Sequence, residues 1–536
     1  MSRRCVHTMV EFEIRERDLL ARIGRLKTKS GTIETPVFLP VINPAKEVVK
    51  PRELWEDFNC KALITNAYIV KKHFGEEARM KGIHRILEYP GVVMTDSGAY
   101  QILVYGSLNV TNEEIIRYQE EINTDIATIL DMPTGWDVSV DYARYTVEET
   151  LKRARELENI RGRSDIVWVG PIQGGRYIDL VAASAREMGK LPFDIHALGS
   201  PTPVMEQYLF DVLVDMIVAA KMNAPVERAF HLFGAGHPMM FSLAVALGCD
   251  LFDSAAYSLF ARENRYLTDY GTIRLEEIKY FPCSCPVCVK RSPSDLMEMP
   301  SDERERELSK HNLHVCFAEI KRVKQAIVEG RLWEYLEMKA HAHPSLLKAL
   351  KSMRKHSEYI EKNSLCVKKK GLFFFGSIDL SRPEVIRHNR RLKERYVPPE
   401  RARVLILIPD SETKSTRGRK YVKRVVSKTC RRLNVDLNAI HVCFYSPPFG
   451  VIPIELSETY PLYQYEYAYP PDAETIEYVA EKILEYVAAS PYRKIIVLVE
   501  KGSWNDKLVK SFIERFYERE IKAEILTLDM SSLKVE

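Results

Sequence analysis

Short apolar runs recur through the first half of the chain at intervals of roughly 30 residues. In order they are Thr35–Pro40, Ala62–Tyr68, Val92–Gly98, Ala127–Met132, Asp165–Gly175, Ile195–Ser200, Ala229–Gly236 and Leu251–Tyr257. Each is short and carries Gly, Pro, Asp or Asn within it or beside it, the pattern of a buried strand running into a turn. Between most of them the period lengthens: EEIIRYQEEI and VEETLKRARELENI place apolar residues at helical spacing and charges elsewhere. Strands alternating with helices predict parallel βα units, because a parallel pair needs a crossover of a dozen residues or more. Eight units in a row favour a closed (β/α)8 barrel over a doubly wound sheet of five or six strands.

The barrel reading gives the polar residues at the strand ends a common address. Asn66, Asp96-Ser97-Gly98, Asp131, Gln173-Gly174-Gly175, Gly199-Ser200, Gly234-Ala235-Gly236 and Asp253 all fall on the C-terminal rim, where such barrels build their sites. Any one of them is explained by the needs of a turn. Three carboxylates with side-chain amides and glycine backbone on one rim exceed what turns require, and the set marks a candidate site. His196, His231 and His237 also lie on these strands or their ends, and read as structural or supporting residues.

Beyond the barrel, Cys283, Cys285 and Cys288 form C-x-C-x2-C, and His311 follows on a helical segment. Three thiolates and one imidazole close a tetrahedral zinc site with no position left for water, so the expected role is structural, with one Zn2+ per chain. The other cysteines are scattered and read as packing residues.

The character of the chain changes near residue 346. Basic helical segments surround an apolar FFFGSI stretch, and VPPE reads as a linker. The runs ARVLILIPD, IHVCFYSPP, RKIIVLVE and AEILTLDM then alternate with helical patterns, predicting a small doubly wound α/β domain. The expected organisation is a catalytic barrel over 1–345 with a zinc segment at 281–315. A basic connecting region over 346–400 and an α/β domain over 401–536 follow. With 46% hydrophobic and 28% charged residues, and no apolar run of membrane-spanning length, the chain is expected to be a globular cytoplasmic protein. Net charge is only +4, so an anionic partner would be met by local patches. Two are visible, Arg387–Arg395 and Lys414–Arg432.

The motifs TDSGAYQ, ILDMP, GPIQGG, ALGS, HLFGAG, LFDSAAYSLFAREN and CSCPVC…HN, in this order, resemble the archaeal, archaeosine-forming tRNA-guanine transglycosylases. That resemblance implies exchange of guanine at position 15 of the tRNA D-arm for 7-cyano-7-deazaguanine (preQ0). It implies Asp253 as the nucleophile that forms a covalent ribosyl intermediate and Asp96 as the general acid/base. Two displacements at one carbon then give net retention. Asp131 would accept paired N–H donors of the base, with Gln173, Ser97 and the backbone near Gly174 and Gly199 completing the pocket. Tyr100 would stack on the ring face. The same resemblance keeps archaeosine synthase, an amidotransferase on preQ0-tRNA, and a queuine-type transglycosylase as alternatives, along with a tRNA-binding subunit with an inactive barrel. Family members tend to dimerise near the zinc region. They usually end in an RNA-binding PUA module for which the chain leaves no room, so a separate PUA protein is an expected partner beside tRNA. No membrane is expected among the partners.

Overall fold

The computed structural model describes residues 12–99, 110–411, 417–500 and 502–529. The chain forms two compact units, Met1–His356 and Ser357–Glu536.

In the first unit, three antiparallel strands come before the barrel: β1 (Phe12–Asp18), β2 (Ala21–Lys27) and β3 (Thr32–Thr35). The barrel strands are β4 (Val37–Ile42), β5 (Ala62–Asn66), β6 (Val92–Asp96), β7 (Ile126–Thr128) and β8 (Val167–Ile172). β9 (Ile195–Leu198), β10 (Ala229–Leu232) and β11 (Leu251–Ser254) complete it, and β11 pairs with β4 to close the ring. All eight expected runs therefore contain barrel strands, with ends that shift by a few residues.

Side chains alternate along each strand, and alternate residues fill the barrel. Leu39, Ala62, Ile64, Val92, Met94, Ile126, Val167, Val169, Ile195, Ala197, Ala229 and Leu251 form its core. Leu26 and Ile33 of the antiparallel sheet join the same cluster, so that sheet covers the N-terminal mouth. Continuing the inward register toward the other end gives Asn66 after Ile64, Asp96 after Met94, His231 after Ala229 and Asp253 after Leu251. The apolar filling thus ends in a polar layer at the C-terminal rim.

The N-terminal ends of three strands are stitched by aspartates. Asp125, Asp194 and Asp250 stand directly before β7, β9 and β11, and each accepts a backbone N–H from the strand beside it. The donors are Val93, Trp168 and Phe230, at 2.8, 3.0 and 2.8 Å. Asp250 also holds Arg22, with Nε to Oδ1 at 2.9 Å and Nη2 to Oδ2 at 2.7 Å.

In the second unit, five strands run in the order β17-β16-β15-β19-β20. They are β15 (Val404–Pro409), β16 (Ile440–Ser446), β17 (Gly450–Pro453), β19 (Lys494–Val499) and β20 (Glu524–Asp529). The four expected strands are the parallel members, and β17 adds an antiparallel edge on β16. β14 (Leu372–Phe374), from the FFFGSI stretch, pairs with β18 (Tyr465–Tyr467).

The two basic segments differ from expectation at one residue each. Arg387 is buried, with Nε 2.7 Å from Glu361 Oε1. Arg417 clasps Asp410 through Nε at 3.0 Å and Nη2 at 2.5 Å. Burying a guanidinium demands a partner, and both partners lie outside the basic runs, so neither arginine faces an external phosphate. Lys414 lies outside the described residues. The face of the helix Arg419–Leu433 does expose Arg419, Lys420, Lys423, Arg424, Arg431 and Arg432.

Candidate active site

β6 delivers Asp96 to the rim because its inward residues Val92 and Met94 fill the barrel below it, and the glycine at 98 (φ +92°) turns the chain just afterwards. Asn66, the corresponding end residue of β5, donates Nδ2 to Asp96 Oδ2 at 3.1 Å. No arginine or lysine pairs with Asp96 among the described residues. Burial, then the charges of Asp131 and Asp253, push its carboxyl up to about 7, against the hydrogen bonds of the Gly98 and Ser97 backbone. Such a carboxyl carries a proton in a large fraction of molecules at neutral pH.

Asp131 lies three residues past β7 and is 6% exposed. Burial raises it to about 6, although Gln173 donates Nε2 to its Oδ2 at 2.5 Å. Gln173 is locked in turn: its Oε1 accepts from the Thr134 backbone at 3.0 Å and from Ser200 Oγ at 2.9 Å. This fixes which end of the amide faces Asp131.

Gly199 is a consequence of the same arrangement. A Cβ there would lie 2.3 Å from Gln173 Nε2, so only glycine fits. Its N–H is engaged by the Ile172 carbonyl at 2.8 Å, and that of Gly174 by Thr134 Oγ1 at 3.2 Å. The N–H groups of these two glycines themselves are thus engaged within the wall. Gly174 (φ +148°) and Gly175 (φ +57°) supply the tight turn after β8. Ser97 is fully buried, and its Oγ has no hydrogen-bond partner among the described residues. Tyr100 lies outside the described residues.

On the opposite side, Asp253 is the penultimate residue of β11 and is 9% exposed. Among the described residues two contacts reach it, both at Oδ1: His231 Nε2 at 2.8 Å and the Gly234 N–H at 3.0 Å. No hydrogen bond from the described residues reaches Oδ2. The rim therefore joins one carboxyl poised to hold a proton, one oriented by an amide, and one held through a single oxygen. His196, by contrast, lies off the inward register of β9, and burial drops it to about 4. His237 folds back to accept from the Met239 N–H.

Sequence reasoning placed Asn66 on the rim without a role, and read His231 only as structural or supporting. The alternation A-F-H-L was the available signal for His231, since it places the ring on the barrel-lining face with Ala229.

Cys283, Cys285, Cys288 and His311 come together in space, with one donor atom of each within 4.8 Å of the others. Cys285 and Cys288 Sγ are 3.5 Å apart, and His311 Nδ1 is 3.5 and 3.3 Å from them. A tetrahedron with ~2.3 Å metal–sulfur and ~2.0 Å metal–nitrogen bonds has edges of about 3.5–3.8 Å, so these atoms stand at or slightly inside ligand spacing. His311 Nε2 donates to the Leu267 carbonyl at 2.9 Å, leaving Nδ1 as the ligand nitrogen. Tyr266 stacks on the imidazole at 3.7 Å. The donor set fits a metal and leaves no open position.

Carboxylates on the C-terminal rim of a parallel barrel, one of them poised to hold a proton, suit general acid–base and glycosyl-transfer chemistry. The queuine tRNA-ribosyltransferase family model matches residues 18–345, and the chain belongs to this family. Its similar relatives include a protein of Saccharolobus solfataricus named tRNA-guanine(15) transglycosylase. The two are 43% identical over 495 residues, which is 91% of this chain and 96% of that protein. A protein of the same name from Methanocaldococcus jannaschii is 45% identical over 466 residues, 85% of this chain and 68% of that protein. Residues 385–530 match a domain family of unknown function. No helix among the described residues is long and apolar enough to cross a membrane.

Proposed function

We propose that the chain exchanges guanine at position 15 of the tRNA D-arm for 7-cyano-7-deazaguanine, an early step of archaeosine formation in the cytoplasm. The observation that carries this reading is the asymmetry of two carboxyls on one rim: Asp96 raised to about 7, Asp253 held through Oδ1 alone. In the proposed mechanism Asp253 attacks the anomeric carbon of the ribose, forming a covalent ribosyl–aspartate, while Asp96 gives a proton to the departing guanine. The incoming base gives a proton of its own to Asp96 and displaces Asp253, with net retention. Asp131 accepts the paired N–H donors of the base, and the locked Gln173 fixes the geometry. Ser97 Oγ offers a further polar contact, and Tyr100 a stacking surface. The exposed cations on the helix Arg419–Leu433 suit the phosphates of tRNA.

The test is incubation with unmodified tRNA and labelled 7-cyano-7-deazaguanine, followed by mapping of the label. Incorporation at position 15 alone, with equal release of guanine and an intact strand, is expected. Preferential uptake of queuine-like bases, or incorporation elsewhere, overturns the reading.

For the Cys3His cluster we infer one structural zinc per chain. It would tie the loop at 283–288 to the helix Ser301–Glu329 and supply no chemistry to the rim. Cys285→Ser is expected to lose the metal and melt earlier, since binding and folding are coupled. A metal-free variant with unchanged melting would refute that role.

A further inference from the structure

His231 is fully buried at the end of β10, with its ring tilted against Phe233 at 4.6 Å. Its Nδ1 is buried and has no hydrogen-bond partner among the described residues. A donor nitrogen would not be left so, because an unmet buried N–H carries its full desolvation cost. The ring proton therefore sits on Nε2 and is donated to Asp253 Oδ1. The Gly234 N–H points at the same oxygen. Two donors on one carboxylate oxygen divide the two oxygens into different roles.

We propose that His231 is a positioning residue that, with the Gly234 N–H, clamps Asp253 Oδ1 so that Oδ2 alone attacks and Oδ1 becomes the carbonyl oxygen of the covalent intermediate. The inference rests on the covalent reading of Asp253. In the first displacement Oδ2 bonds to the anomeric carbon as the bond from that carbon to the base breaks. The electron pair leaves with the base, which takes the proton held by Asp96. In the second, the incoming base attacks the same carbon and gives a proton to Asp96. The bond from that carbon to Oδ2 then breaks, and its electron pair returns to the Asp253 carboxylate.

The clamp acts unequally on these steps. Donors on Oδ1 withdraw electron density, so they make the free carboxylate a slightly weaker nucleophile. They stabilise the negative charge that returns to the carboxylate as the ester breaks, and so make Asp253 a better leaving group. A merely structural histidine would affect both steps together.

The experiment uses the full chain and unmodified tRNA. The denaturant-resistant adduct is formed without free base and then chased with guanine. His231→Phe is expected to form adduct at a rate near wild type, chase it about 10–100-fold more slowly, and accumulate it at steady state. His231→Gln, which keeps an N–H donor, should restore most of the chase rate. If His231→Phe does not fold, His231→Met against His231→Gln makes the same comparison. Equal losses in formation and chase, a chase at the wild-type rate, or a Gln variant no better than the apolar one overturns the inference alone. A wild-type chain that never traps tRNA overturns the covalent reading and the inference with it.

Discussion

The two ends of the barrel each carry three aspartates, and they are put to opposite uses. Asp125, Asp194 and Asp250 begin strands, and each accepts a backbone N–H of the neighbouring strand. Asp125 is also 3.1 Å from His84, and Asp250 is paired with Arg22. Asp96, Asp131 and Asp253 stand at or just past strand ends, are met by amides, backbone N–H groups or His231, and face one another's charge. Against the upward pull of burial, hydrogen bonds from His84, Ser30 and the Val93 backbone hold Asp125 below the usual carboxylate range. Asp96, without such a partner, rises to about 7. A buried carboxylate is thus a fastener or a reagent according to whether its charge has been matched.

The largest expected effects fall on the C-terminal rim. Asp253→Asn should abolish the denaturant-resistant tRNA adduct. Asp96→Asn should lower turnover by roughly 10²–10⁴-fold while leaving tRNA affinity nearly unchanged. If Asp96→Asn weakens tRNA binding as much as turnover, the contrast between the rims fails at that residue.

At the other rim Asp250→Ala leaves Arg22 buried and uncompensated, and should cost about 3–5 kcal/mol of stability in denaturant titration. Base exchange per folded molecule should stay near wild type. A folded Asp250→Ala chain without activity would show that this rim is not only a fastener.

The smallest effect is one of sign with pH. The folded state holds a proton on Asp96 up to about 7, the unfolded chain only to ~3.9, so Asp96 removes stability as pH rises through that interval. Asp125 is shifted downward, so its contribution is present above ~3.9 and is lost as pH falls through its folded value. Asp96→Asn should therefore raise the melting temperature at pH 8 and hardly at pH 4. Asp125→Asn should lower it most at pH 8. Equal shifts of the same sign in the two variants would erase the distinction.

Much of this was legible in the chain. Eight apolar runs with polar ends led to the barrel, its rim and the metal cluster, because strand alternation and ligand spacing are local patterns. The stitching aspartates were not legible, since Asp-Ile and Asp-Leu at a strand start resemble any loop exit until the neighbouring strand's N–H is in place. The antiparallel sheet at Phe12–Thr35 went unread although FEIRERD alternates clearly. Arg387 and Arg417 misled because Glu361 and Asp410 meet them only after folding. His231 was given no particular partner because its significance depends on Asp253, 22 residues later and one strand away.

The contact between Gln173 and Gly199 also constrains how this pocket can change over generations. A side chain at 199 collides with the amide of Gln173, so a lineage cannot reshape that wall by altering 199 first. Shortening Gln173 first would release Asp131, Thr134 and Ser200 together and so dismantle that side of the pocket. The two positions can move only as a pair, or after Asp131 has found another anchor. A library varying both codons at once, selected on an enlarged base, should yield double replacements and almost no single ones at 199.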